Sequence, residues 1–233
     1  MKTRPGYRAL IFDLDGTLVD SYAALTDALN FARASTGMGV LPQEIVKSYV
    51  GEGVEILLQR AFEASEIDQS LRGLFEQRYD EICCERSTLL DEVADTLGHL
   101  SALGVRMTVC TNKPTTFSTK ILQHLGIAGH FRAVVGPDLA GIRKPDARHV
   151  RRAIDPLECP PTDVLFVGDM PIDVEAARNS GLEVAVIATG SSTAVELKAA
   201  EPDFFLVRFS DLITIVQGTR AGRFVREERS IRL

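Results

Sequence analysis

Five short runs, ALIFD (9–13), VRMTVCT (105–111), AVVG (133–136), DVLFVGD (163–169) and EVAVIAT (183–189), are β-rich, and several are apolar almost throughout. A strand carries apolar residues on both sides when both faces of its sheet are covered, as in a parallel sheet between helical layers. Between the runs lie DEVADTLGHLSALG, STKILQHLGI and VEAARNSGL, with apolar residues three to four apart and Gly104, Gly126 and Gly181 placed to end the helices. The expectation is an α/β layer fold with a parallel sheet.

Residues 21–86 break this rhythm, because they contain no convincing strand. SYAALTDALNFARAS, PQEIVKSYV, GVEILLQRAFEAS and DQSLRGLFEQRYDEICCE read as amphipathic helices, too much chain for a simple crossover. They are expected to form an inserted helical cap domain over the sheet, leaving residues 1–20 and 87–233 as the core. A length of 233 residues suits one substantial core with a smaller appendage.

The net charge of −6 argues against a general nucleic-acid surface, which needs concentrated Lys and Arg. Cys83, Cys84, Cys110 and Cys159 form no C-x-x-C pair or metal-ligand spacing with histidine and are expected to be reduced packing residues. Acids interrupt the apolar run near the N-terminus, so neither a signal peptide nor a membrane span is expected, and a cytoplasmic location is the default. The tail from Arg220 to Arg232 repeats arginine every three residues and reads as a solvated terminus or a partner-binding or membrane-surface element.

The segment IFDLDGTLVDS (11–21) crowds Asp13, Asp15 and Asp20. Two unit charges about 4 Å apart repel by roughly 4 kcal/mol at an effective dielectric near 20, so a cation or a reaction is needed to hold them together. Ligands of parallel α/β sheets gather beyond the carboxyl ends of the strands. Asp13 closes the first run, Thr111 and Asn112 the second and Gly168–Asp169 the fourth, while Lys144 enters from GIRKPDARH. In phosphoryl transfer an aspartate at Asp13 can attack phosphorus, and Asp15 can protonate the departing oxygen and then deprotonate water. Gly16 permits close backbone approach, and Thr17 can orient the carboxylates. Asp169 and Asp173 add hard oxygen ligands of the kind Mg²⁺ prefers. The Thr111 hydroxyl, the Asn112 N–H and the Lys144 ammonium can surround the transferring group.

A calcium-binding EF-hand loop starting at Asp13 would put Leu18 where a turn glycine belongs and Ala24 where a bidentate glutamate belongs. Asp20 and Ser21 face the substrate or cap the first insertion helix. Lys113 reads as a solvated charge, and VGEG (50–53) as either a helix connection or a loop whose glycines let the cap approach the substrate.

Taken together, D-x-D-G-T at 13–17, T-N at 111–112, K-P at 144–145 and G-D-x-x-x-D at 168–173 resemble the motifs of haloacid-dehalogenase superfamily hydrolases, in order and spacing across nearly the whole chain. The resemblance implies a Rossmann-like core with a C1-type helical cap matching 21–86. It also implies Asp13 as nucleophile, Asp15 as general acid/base, and Mg²⁺ bound by Asp13, the Asp15 carbonyl and Asp169 with Asp173 in support. VGEG and TNKP (111–114) look most like phosphoglycolate phosphatases, which makes Gly51, Glu52 and Gly53, with Asn112, the candidate substrate-binding residues. Met170, Pro171 and Ala147 depart from the common pattern. The expected partner is a small phosphorylated metabolite, with 2-phosphoglycolate first and sugar phosphates, nucleotides or pyrophosphate as alternatives. A non-catalytic phosphate-ligand module is the rival of another class. Phosphonate hydrolysis would need a cap lysine, and Lys47 is the one lysine of 21–86.

Overall fold

Strand β1 (Ala9–Phe12) is buried along its whole length at the middle of a six-stranded sheet. The computed structural model describes residues 6–218. After β1 come the short β2 (Val19–Asp20) and four helices, α1 (Tyr22–Ala34), α2 (Gln43–Tyr49), α3 (Val54–Phe62) and α4 (Gln69–Ile82). The chain returns through β3 (Thr88–Leu89), antiparallel to β2, and α5 (Val93–Ala102) to β4 (Arg106–Cys110). Strands and helices then follow as α6 (Thr115–His124), β5 (Phe131–Val135), α7 (Pro137–Ala140), α8 (Ala147–Ile154), β6 (Val164–Gly168) and α9 (Pro171–Asn179). The described chain closes with β7 (Glu183–Ile187), α10 (Ala194–Ala199), β8 (Phe204–Leu206) and α11 (Asp211–Val216). The strand order is β5-β4-β1-β6-β7-β8, with every pairing parallel.

The two-residue period of a strand sends alternate side chains to opposite faces. Leu10 and Phe12 join Met107, Val109, Leu165 and Val167 in one apolar cluster, while Ala9 and Ile11 join Val164, Phe166, Val184 and Val150 in another. Both clusters are buried, which is why the strand runs carry little polar punctuation. The first cluster continues into the helical cap segment through Tyr22, Leu25, Leu29, Leu58 and Phe75. Helix α4 also touches the sheet's flanking layer: the Tyr79 ring meets Phe117 of α6 edge-on at 5.1 Å, and Lys120 pairs with Asp80 at 2.7 Å.

All five expected strands are present, and each expected helix overlaps the segment read for it, with α6 and α9 starting three residues earlier than read. Gly104, Gly126 and Gly181 adopt positive φ just beyond α5, α6 and α9. Edge strand β8 and the β2–β3 pair were not anticipated. They are two or three residues long and carry too little periodicity to be read locally. Among the described residues, no helix is long and apolar enough to cross a membrane, and all four cysteines are free. The arginine-rich tail lies outside the described residues.

Candidate active site

Strand ends deliver the acids. Asp13 follows β1 directly and donates its backbone N–H to Val167 O of β6, while Asp169 follows β6, so the parallel pairing of β1 with β6 sets the two acids side by side. Asp173 comes from the first turn of α9, and its Oδ2 accepts the N–H groups of Asp169 at 3.2 Å and Met170 at 3.0 Å. A Cβ on Gly168 would meet Asp173 at 2.4 Å, so that glycine admits the carboxylate. The Lys144 ammonium donates to Oδ1 of both Asp13 and Asp173 at 2.7 Å. Burial pushes the Asp13 carboxyl up to about 6, with Asp173 and Asp15 adding to the rise and Lys144 opposing it. Burial, then Asp13 and Asp173, hold Asp169 well above the usual carboxylate range. Lys144 loses charge stabilisation by burial, but Asp13 and Asp173 outweigh that loss and raise it above an ordinary lysine.

Asp13, Asp169 and Asp173 offer carboxylate oxygens that all lie within 4.8 Å of one another. Three buried hard donors with a single shared ammonium leave negative charge that a small divalent cation would neutralise, and the donor set suits Mg²⁺. The space around Asp169 is kept clear: a Cβ on Gly190 would meet its Oδ2 at 1.6 Å and one on Gly16 at 2.6 Å. The residues therefore fit the metal. Both Asp173 oxygens already accept protein donors, which suits a supporting position. The Asp15 carboxylate turns elsewhere, toward the Ser21 hydroxyl and the Lys113 ammonium, so its main-chain carbonyl is what it has to offer an ion. Thr17 donates to Asp169 Oδ1 at 2.8 Å, the orienting contact its position suggested.

One sequence reading is corrected and another is resolved. Lys113 is not a solvated charge: it is buried and donates to both oxygens of Asp15, at 2.9 and 2.7 Å. That pairing spans 98 residues of sequence, which no local pattern reports. Of the pair read as capping or substrate-facing, Ser21 takes the N-cap position of α1 but turns its hydroxyl to Asp15, while Asp20 just before it accepts the Tyr22 N–H at 3.1 Å. Sequence reading also missed Thr189, Gly190 and Ser191 beyond β7. Thr189 donates to Gly16 O at 2.6 Å, and the Ser191 N–H donates to Asp169 Oδ2 at 3.3 Å. A glycine flanked by hydroxyls after a strand was the available signal.

A haloacid dehalogenase-like hydrolase family model matches residues 10–187. The chain belongs to that family. The hydrolase is 33% identical over 221 residues to a phosphoglycolate phosphatase of Photorhabdus laumondii, covering 92% of this chain and 94% of the relative. It is 31% identical over 215 residues to one of Yersinia pestis, covering 90% and 93%. A solved structure of a predicted phosphoglycolate phosphatase from Haemophilus somnus superposes with a TM-score of 0.84 at 29% identity, covering 91% of this chain and 98% of that one.

In the hydrolase, the loop 50–53 reaches the acids from the helical segment. Gly51 and Gly53 have φ of 124° and 95°, and the loop leads straight into α3. Asn112 Nδ2 donates to Gly51 O at 3.0 Å and Arg143 donates to Glu52 O at 3.1 Å. The Asn112 amide also pairs with the Lys144 backbone, accepting its N–H at 2.8 Å. Met170, one of the departures from the family pattern, fills the space a Gly51 side chain would need, its sulfur 2.0 Å from the Cβ position. A cavity of about 40 Å³ remains beside Asp13 and Asp15, walled by Leu25, Val50, Gly51, Gly53, Val54 and Leu57 and floored by Thr111, Asn112 and Lys113. The Glu52 side chain turns away to pair with Arg60. Lys47 lies over the Tyr22 ring, 4.9 Å from its centroid.

Proposed function

We propose that this Mg²⁺-dependent phosphoric monoester hydrolase, which acts on a small phosphorylated metabolite, takes 2-phosphoglycolate as its substrate. The observation that carries this reading is the closeness of the cap loop: Gly51 and Glu52 are tied to Asn112 and Arg143 beside Asp13 and Asp15, an approach that favours a short leaving group. The names of the relatives at 33% and 31% identity point the same way. Four unbridged cysteines support a cytoplasmic place of action.

In this reading residues 21–86 act as the cap and 1–20 with 87–233 as the core. Asp13 attacks phosphorus, forming an aspartyl-phosphate as the ester P–O bond breaks, and Asp15 gives a proton to the departing oxygen. Asp15 then takes a proton from water, whose oxygen attacks the same phosphorus and breaks its bond to Asp13, releasing inorganic phosphate. Thr111, the Asn112 N–H and Lys144 hold the charge that develops on the equatorial oxygens. Asp13, the Asp15 carbonyl and Asp169 would hold Mg²⁺ with Asp173 behind them, and the ion when bound supplies positive charge beside the transferring group. The cap loop, Gly51 to Gly53, meets the rest of the substrate.

The test is a panel of phosphate esters assayed with Mg²⁺. The expected result is the highest kcat/KM for 2-phosphoglycolate, at least tenfold above sugar phosphates, nucleotides and pyrophosphate. A higher value for any of those would overturn the substrate assignment.

A further inference from the structure

Among the described residues that line the cavity, Lys113 is the only cation. Its side chain is 5% exposed and carries its ammonium across to the Asp15 carboxylate, while the same ammonium rests 4.9 Å from the centre of the Tyr79 ring. Lys144, the other buried lysine nearby, is held by Asp13 and Asp173. The wall facing this floor is apolar, formed by Leu25, Val50, Val54 and Leu57. A second anion on the leaving alcohol would enter a space walled by apolar side chains, with Lys113 the one cation among the described residues that line it. Left unpaired there, it would be strongly disfavoured.

Lysine is suited to an exchange of partners, since a compact ammonium on a four-carbon stem moves without rebuilding a planar fork of hydrogen bonds. Asp15 has a second hold, the Ser21 hydroxyl, and keeps it when Lys113 turns away. We propose that Lys113 is a specificity-determining residue: it binds the second anion of the substrate, a carboxylate or comparable group on the leaving alcohol, giving up its contact with Asp15 to do so. An ester without that anion leaves Lys113 on both Asp15 oxygens, where it obstructs the group that meets the leaving oxygen. The inference rests on the reading of this cavity as the substrate site and deepens it, because it names the chemical feature by which substrates are chosen.

The experiment compares 2-phosphoglycolate with ethyl phosphate, which has the same two-carbon tail without the carboxylate, on wild type, Lys113→Gln and Lys113→Arg. Wild type is expected to favour 2-phosphoglycolate by at least about 100-fold in kcat/KM. Lys113→Gln should cut that ratio by about 100-fold, mainly through KM for 2-phosphoglycolate, and Lys113→Arg should retain most of it. The ratio is taken on one preparation, so a partly unfolded variant does not distort it. An unchanged ratio in Lys113→Gln, with both substrates falling together, overturns the proposal and reduces Lys113 to a support for Asp15. Pyrophosphate, an anhydride, and phosphate esters with a second anion separate the two readings. If wild type prefers one of them and Lys113→Gln erases that preference, the Lys113 assignment stands and 2-phosphoglycolate falls. No preference of wild type for any second anion overturns the Lys113 assignment.

Discussion

The Lys144 ammonium sits 2.7 Å from Asp13 Oδ1, and the same nitrogen is 2.7 Å from Asp173 Oδ1. One buried cation thus separates two buried carboxylates that would otherwise face each other. Removing one partner of such a set leaves uncompensated charge, at a cost of about 3–5 kcal/mol. Lys144→Met should therefore lower Tm by on the order of 10 °C in chelator as well as abolish turnover. Thermal melts of the two proteins check this. A variant that melts with wild type would mean the lysine contributes charge to the reaction and nothing to the fold.

Asp15 is separated from the metal-site acids by its contacts to Ser21 and Lys113, a placement suited to moving a proton at the leaving group. Asp15→Asn should cost about 10²–10⁴ in kcat on esters of alkyl alcohols and clearly less on p-nitrophenyl phosphate, whose phenolate departs with little help. Rates across leaving groups of graded pKa provide the check. Equal losses along the series would remove the general-acid role.

Gly190 leaves no room for a methyl group, since its Cβ would fall 1.6 Å from Asp169 Oδ2. Gly190→Ala should displace Asp169 and weaken Mg²⁺ binding about 10–100-fold, the effect of disturbing the shell behind a metal ligand. Titration of activity against Mg²⁺ measures it. Ca²⁺, which takes more ligands at longer distance, should compete for the same acids and inhibit wild type. Turnover with Ca²⁺ equal to that with Mg²⁺ would contradict this.

His149 is fully buried, with Nε2 3.3 Å from Val135 O and Nδ1 without a partner among the described residues. Burial first, and then the Lys144 charge, lower its pKa from 6.5 to about 4. The unfolded chain binds this proton between those values and the folded chain does not. Stability from neutral His149 is therefore complete above pH 6.5 and is lost as pH falls toward 4, by up to on the order of 3 kcal/mol. His149→Gln should flatten that part of the stability profile, as urea unfolding at pH 4.5 and 7 would record. A slope identical to wild type would assign the acid sensitivity to the carboxylates.

Much of the fold was legible because β1, β4, β6 and β7 are buried on both faces, and burial of that kind writes itself into composition residue by residue. The helices of 21–86 were legible for the related reason that each has one apolar stripe. Asp13, Thr111 and Asp169 stood out through their positions at strand ends, and Asp15, Lys144 and Asp173 through their order and spacing, so the candidate site was also visible along the chain. The tertiary structure alone decided which charges meet. Lys113 and Asp15 lie 98 positions apart, Thr17 and Asp169 lie 152 apart, and Gly16 and Thr189 lie 173 apart. A parallel sheet brings such residues together by placing the carboxyl ends of distant strands at one edge, and no periodicity within a strand or helix encodes that distance. The sequence determined what each element would be made of and which face it would bury; the order of the strands decided that Lys113 would be buried against an acid instead of hydrated.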